Sequence, residues 1–194
     1  MKSRVIFASL PIVFFGAAVG AVERYDLEVG RSQLVFSVPY VHGVLGEAVG
    51  EFADLEGRVV YDPADPTRSE VLVRVRTASV ETQFESRDVD LRSERFLDSG
   101  RYPEAVFRSQ RIERSDGGFR AHGVLELRGQ TRPVSIRFEV QELAGEGGGR
   151  LWVTGSTRLD RREFGIQGPG LAGDFVIGDS VSLRFNLMLL PAAS

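Results

Sequence analysis

Cysteine is absent from all 194 residues, so no disulfide can brace this chain and no thiolate is available as nucleophile, metal ligand or lipid acceptor. Imidazole is nearly as scarce. With only His42 and His122, in no H-x-x-x-H pairing, a transition-metal site is not expected, and no resident cofactor is either. The G-x-S-x-G nucleophile elbow is missing, and neither histidine has a Ser and an Asp placed by sequence to complete a triad. Lysine occurs once, at Lys2, so every later basic residue is arginine. Arginine forks suit phosphate, but a codon bias accounts for the same fact without a ligand.

Long apolar runs are missing except at the start. There Lys2 and Arg4 precede an apolar run from Val5 to Val19, and Val19-Gly20-Ala21 supplies the small residues that a signal peptidase requires. A membrane span needs about 20 apolar residues, more than this run offers. Residues 1–21 therefore read as a signal peptide cut before Val22, leaving residues 22–194 as one domain in the periplasm or outside the cell. Without Lys2 and Arg4, the 24 basic residues fall to 22 against 27 acidic ones, a net charge of −5. Nucleic acid, which wants a basic face, is disfavoured.

What is abundant is two-residue alternation. Val134, Ile136, Phe138 and Val140 interleave with Ser135, Arg137 and Glu139, while Val181, Leu183, Phe185 and Leu187 interleave with Ser182, Arg184 and Asn186. Leu34, Phe36 and Val38, and Val71, Val73 and Val75, behave alike. Each segment is a strand with one buried and one wet face. Such runs near 33–41, 51–61, 69–79, 104–114, 119–128, 131–142, 150–160 and 177–190 make eight. "DPADP", "SDGG" and "GEGGG" mark turns between them, and Gly129-Gln130 suits a type II′ hairpin. Eight alternating strands admit a sandwich or a closed barrel, and a barrel of that size is either filled by side chains or holds one ligand.

One stretch breaks the rhythm. "SRDVDLRSERFLDSGRYP" spaces Val89, Arg92, Ser93 and Phe96 like one side of a helix, with Ser86 or Asp88 as cap and Gly100 and Pro103 as stop. The spacing predicts a helix over 87–98, with Val89, Leu91, Phe96 and Leu97 as its apolar contribution, either lidding a barrel mouth or merely covering core. "GPGLAG" (168–173) fits G-x-G-x-x-G literally but precedes no helix, so it reads as a glycine-rich loop.

The segment "ASVETQFESRDVDLRSERFLDSGRYPEAVFRS" resembles the hallmark of the YceI-like family of exported bacterial proteins. Ser79, Thr82, Arg87, Asp88, Leu91, Arg92, Ser93, Phe96, Tyr102 and Pro103 carry the match. "RSQLVFSV", "GEF", "GVLELRGQTRPV", "LDRREFGI" and "IGDSVSLRF" follow in the family's order. Asp90 and Glu126 depart from the pattern, at positions expected to lie outside the interior. The resemblance implies an all-β, lipocalin-like, eight-stranded antiparallel barrel with one short helix between strands at its mouth. It also implies a non-enzymatic carrier for a polyisoprenoid or a prenyl-tailed quinone.

By strand phase, Phe36, Val38, Val73, Phe107, Leu125, Ile136, Phe138, Leu183 and Phe185 are the candidate pocket wall. Arg87, Asp88, Phe96 and Arg162 are the candidate mouth and helix anchor. An exported enzyme using Arg87, Asp88 and Arg162, or a filled barrel acting as an interaction module, are the competing readings. The expected partner is an isoprenoid lipid, with no nucleic acid and no metal; a homodimer and transient membrane contact stay open.

Overall fold

The computed structural model describes residues 22–42, 44–144, 149–168 and 175–193; the segment 1–21 expected to be a signal peptide and most of "GPGLAG" and "GEGGG" lie outside them. The alternating segments form strands as expected. β7 (Glu104–Ser115), β8 (Gly118–Leu127), β9 (Gln130–Leu143), β10 (Arg150–Asp160) and β12 (Ser180–Pro191) are long and pair antiparallel in chain order. Before them come β1 (Glu23–Leu27), β2 (Gln33–His42), β3 (Val44–Phe52), β4 (Leu55–Tyr61), β5 (Glu70–Arg76) and β6 (Val80–Glu81). The short β11 (Phe175–Ile177) adds to β2.

These twelve strands make eight staves. β1 and β2 are one stave interrupted by a 3-10 turn at Val29–Arg31; both halves pair with β12. β3 and β4 form the second, pairing with β2 and β1 respectively, and β5 and β6 the third, pairing with β4 and β3. The ladder then runs β5–β7–β8–β9–β10–β12 and returns to β1, closing an eight-stranded antiparallel barrel. Closure leaves the main wall without edges.

Each interruption is patched by side chains. At the first, Ser32 Oγ donates to Glu28 O (2.7 Å) and accepts from Met188 N (3.0 Å), carrying the β12 ladder across the kink. At the second and third, Asp54 N donates to Ser79 Oγ (3.1 Å), whose hydroxyl donates to Arg76 O (2.7 Å).

α1 (Glu85–Arg92) stands between β6 and β7 and is shorter than the 87–98 expected from spacing. Phe84 occupies the cap position without a side-chain cap bond; Ser86 and Asp88, the expected caps, lie inside the helix. Extended backbone at Ser93 ends it, and residues 93–98 continue as turns in which Leu97 N bonds Leu91 O (3.0 Å). That early stop swings Leu97 into the interior, where it is buried, while Val89 is 56% exposed and contributes nothing to the core.

The β8–β9 hairpin also differs from expectation. Its two central residues are Arg128 and Gly129, with φ of 50° and 69°, so the turn is type I′ and not type II′ over Gly129-Gln130. Arg128 tolerates this rare conformation because its guanidinium is held by Gly165 O (2.8 Å) and Glu94 O (2.7 Å).

Candidate functional site

Inward residues of a filled barrel should be wholly buried. Here Val134, Ile136, Phe138 and Val140 on β9 and Val181, Leu183, Phe185 and Leu187 on β12 point inward, yet each is only partly buried. They face empty space. The barrel encloses a cavity of about 690 Å³, within the range of small-molecule sites, and its wall is overwhelmingly aliphatic and aromatic. The filled barrel that alternation left open is therefore not what this chain forms.

The cavity is long. Its floor is a cluster of Tyr25, Tyr61, Leu151 and Leu189, and its helix end a cluster of Phe36, Val80, Leu97, Phe164 and Ile166. Leu151 and Leu159 both line it eight residues apart on β10, a run of about 27 Å at strand rise. Phe107, Ile112 and Ala121 form the side wall between. Glycines make room for rings within the wall: a Cβ at Gly50 would stand 2.5 Å from Phe36 Cζ, one at Gly123 2.8 Å from the Phe107 ring and one at Gly155 closer still to Phe185 Cζ.

All nine residues proposed from phase line this cavity: Phe36, Val38, Val73, Phe107, Leu125, Ile136, Phe138, Leu183 and Phe185. Phe96 and Arg87 also line it, as do Leu91 and Asp90 from α1. Asp90 was expected outside the interior; its position on the helix places it at the cavity mouth instead. Asp88 is buried beside the mouth but does not face it, because Thr82 Oγ1 donates to its Oδ1 (2.6 Å). The same hydroxyl accepts from Arg87 Nε (2.9 Å), while Arg87 Nη2 donates to Thr82 O (3.0 Å) and its guanidinium stacks 4.7 Å from the Phe84 ring. Arg87 and Asp88 are thus joined through Thr82.

Arg162 was a candidate for the mouth, but it faces outward, 62% exposed and paired with Asp160 and Asp179. Its side-chain and backbone hydrogen bonds hold the Asp160 carboxyl down at about 2. The buried arginine is its neighbour Arg161, which lines the cavity and donates to Gly178 O, Ile166 O and Gln167 O at 2.7–2.9 Å and to Asp179 Oδ1 at 2.8 Å. The signal that could have found it was the R-x-x-F-G register itself, in which Arg161, not Arg162, stands three before Phe164.

Most of the hallmark segment turns out to be fastening. Arg92 Nε and Nη2 donate to Ala78 O and Val80 O, both at 2.9 Å, occupying carbonyls beside the β5–β6 interruption where α1 displaces the next stave. Thr77 donates through N to Pro103 O (2.9 Å) and through Oγ1 to Tyr102 O (2.8 Å). These bonds seat the helix across the barrel end.

At the floor, Tyr61 donates to Glu142 Oε1 (2.8 Å) and Tyr25 to Glu23 Oε2. Burial first, then the bond to Glu142, pushes the Tyr61 phenol up to about 12; burial and Glu23 raise Tyr25 further.

Sequence reasoning missed one constellation. On the outer face, Ser135 Oγ lies 2.8 Å from His122 Nδ1, and His122 Nε2 lies 2.8 Å from Glu113 Oε1. The hydrogen bond from His122, helped by Arg111, holds the Glu113 carboxyl below its ordinary range. β7, β8 and β9 bring these distant residues together by register. The arrangement sits on the outer sheet face, with His122 opposite Arg111 beside the irregularity between Ser109 and Arg111. Among the described residues there is no group of three His, Asp or Glu side chains that could hold a metal.

A closed antiparallel barrel with a helix across one end and an apolar cavity inside defines a lipocalin-like architecture. The chain belongs to the YceI-like domain family, whose match spans residues 25–189. It is 36% identical over 124 residues to a UPF0312 protein of Vibrio cholerae, covering 62% of this chain and 66%, just under two thirds, of that relative. Its fold is shared with the crystal structure of Burkholderia cenocepacia BcnA, with a TM-score of 0.71 and 19% identity over 84% of this chain and 98% of that one. A polyisoprenoid binding domain from Saccharophagus degradans, implicated in plant cell wall breakdown, superposes with a TM-score of 0.66 and 19% identity over 87% of this chain and 98% of that one.

Proposed function

We propose that this protein is an exported, non-enzymatic carrier that holds a polyisoprenoid or a prenyl-tailed quinone in its barrel, working in the periplasm after loss of residues 1–21. The observation that carries this reading is the hollow interior: a long apolar cavity whose inward strand residues are left half-buried until something fills it. Membership of the YceI-like family and the polyisoprenoid-binding character of the Saccharophagus degradans domain support the choice of ligand.

Each buried CH₂ contributes about 0.8 kcal/mol, so a naive sum over a prenyl tail approaches or passes the roughly 18–21 kcal/mol ceiling of known affinities. Ordering of the chain and loss of its own lipid environment offset most of that. Tail burial supplies strength, and the polar groups at the helix end, Arg87, Asp90 and Thr82, select the head group. The lipid is cargo, so no resident cofactor is needed. Catalysis by Arg87, Asp88 and Arg162 finds no support in geometry, since the three do not converge on one cavity surface.

Mass spectrometry of an organic extract, from protein purified without detergent out of its native host, tests the reading. A prenyl lipid at near one per chain is expected, together with a mature amino terminus at Val22. An empty barrel that also fails to retain added prenyl quinone would overturn it.

A further inference from the structure

At the far end of β2 and β3 the alternation that governs the barrel gives way to well-exposed apolar residues. Along β2, Tyr40 faces the cavity, yet its outward neighbour Val41 is apolar and 44% exposed. Directly opposite Val41 stand Leu45 on β3, 77% exposed, and Val176 on β11, 63% exposed, so the three share one outer face. Their inward neighbours Tyr40 and Ile177 line the cavity, which makes this corner of the wall apolar on both sides. A strand pair with a solvated face should carry polar residues there. The segment from Val41 to Gly46 contains no Asp, Glu, Lys or Arg, in a chain that is 26% charged.

The corner belongs to the helix end of the barrel. Arg161 ties Gly178 and Asp179, just beyond β11, to Ile166 and Gln167, and Arg95 ties Gly168 to the turn after α1. Phe84 at the cap of α1 and Val89 within it are 62% and 56% exposed. The uncharged corner of Val41, Leu45 and Val176 is thus an apolar rim bordering the end of the cavity where Arg87 and Asp90 stand.

We propose that this rim docks the cavity mouth on a lipid bilayer, with Leu45 and Val176 entering the interface; this rests on the carrier reading above. A second protein chain is the poorer fit. A stable interface takes about 20–30 residues a side, whereas this rim offers a handful of apolar side chains. A bilayer needs no complementary shape, and a rim without charges enters it without desolvating ions. Continuity with the cavity gives the contact a purpose, because a prenyl tail could then pass between bilayer and barrel without crossing water.

The test uses the full mature chain carrying Leu45→Glu and Val176→Glu together, with Val29→Glu as a control, since Val29 is an exposed apolar residue away from the rim. Flotation with phosphatidylcholine vesicles measures docking, and transfer of a prenyl quinone from loaded protein to the same vesicles measures delivery. The double variant should stay folded by circular dichroism and keep its loaded quinone, yet lose vesicle association and slow transfer at least tenfold; the control should match the parent. Equal flotation and transfer by parent and double variant would overturn the proposal, as would a parent dimer in analytical ultracentrifugation that the double variant abolishes. Failure of the carrier reading shows separately, as a parent that retains no quinone whether or not it floats with vesicles.

Discussion

The strands β7 to β10 and β12 run 10 to 14 residues each with a single bulge, near Gln110, whereas the three staves made by β1 to β6 are each broken once. The continuous side needs little besides its ladder and its inward apolar row. The broken side is held by hydroxyl and guanidinium groups that stand in for missing ladder partners: Ser32, Ser79, Arg87 and Arg92. The difference separates two tasks. One side supplies a smooth apolar wall, and the other bends to admit a helix and form a mouth.

The comparison breaks most sharply on the continuous side if a charge enters the wall. Phe138→Asp should abolish retention of a prenyl lipid, because an ionised carboxylate cannot be buried unpaired against an apolar ligand, and even the neutral acid left without a hydrogen-bond partner costs about 2–7 kcal/mol. The empty cavity can hydrate that carboxylate, so folding should suffer less than binding. The neighbouring Glu139→Ala, on the wet face, should change stability and retention by no more than about 0.5 kcal/mol. Lipid quantified after delipidation and reloading, in variants shown folded by thermal melting, decides it. Equal retention by Phe138→Asp and parent would place Phe138 outside the binding surface.

At the helix end, where the broken staves meet the turn after β10, the expected effect is on folding. Arg161→Ala strands several buried carbonyls and the Asp179 partner, and should cost about 3 kcal/mol in denaturant unfolding. Arg92→Ala removes two charged hydrogen bonds at a more exposed place and should cost about 1–2 kcal/mol, with Arg92→Lys recovering only part because it cannot fork. A smaller loss for Arg161 than for Arg92 would reverse the ranking drawn from burial.

The smallest effect concerns pH and the floor. The Tyr61 phenol has a folded value of about 12, above the ordinary value of 10. A raised acid favours the protonated native state, so its stabilisation is complete below about pH 10 and is lost as pH rises through about 12. Ultraviolet titration should show two late phenols, Tyr61 and the still later Tyr25, and Tyr61→Phe should remove the one near 12 while costing about 1 kcal/mol at neutral pH through the lost bond to Glu142. A titration finished by about pH 11 would contradict the buried bond to Glu142.

The continuous strands were legible before folding was considered, since Val134 to Val140 and Val181 to Leu187 keep phase over their whole length. Six of the nine wall residues lie on continuous strands, and Phe36, Val38 and Val73 followed from the same two-residue phase within β2 and β5. The broken side was harder. The stave through β1 and β2 was seen only from residue 33, and β3 was read as beginning at 51, because short strands with glycines at 46 and 50 give a weak periodic signal. Local spacing predicted a helix to Asp98, but the need to bring Leu97 inward and Arg92 onto the Ala78 and Val80 carbonyls ended it at Arg92.

By itself the sequence determined an all-β chain with one apolar interior, eight staves and a helix before the fourth, because two-residue and helical periods are properties of neighbouring residues. Whether that interior is filled or hollow depends on how side chains from opposite walls meet: at the floor Tyr61 of β4 reaches Glu142 of β9, while above it the inward residues of β9 and β12 stay half-buried around the cavity. The choice between Arg161 and Arg162 likewise waited on the tertiary fold. Adjacent residues on one turn face opposite ways, and only the position of the β11 end and the Ile166–Gly168 loop shows which arginine the chain encloses.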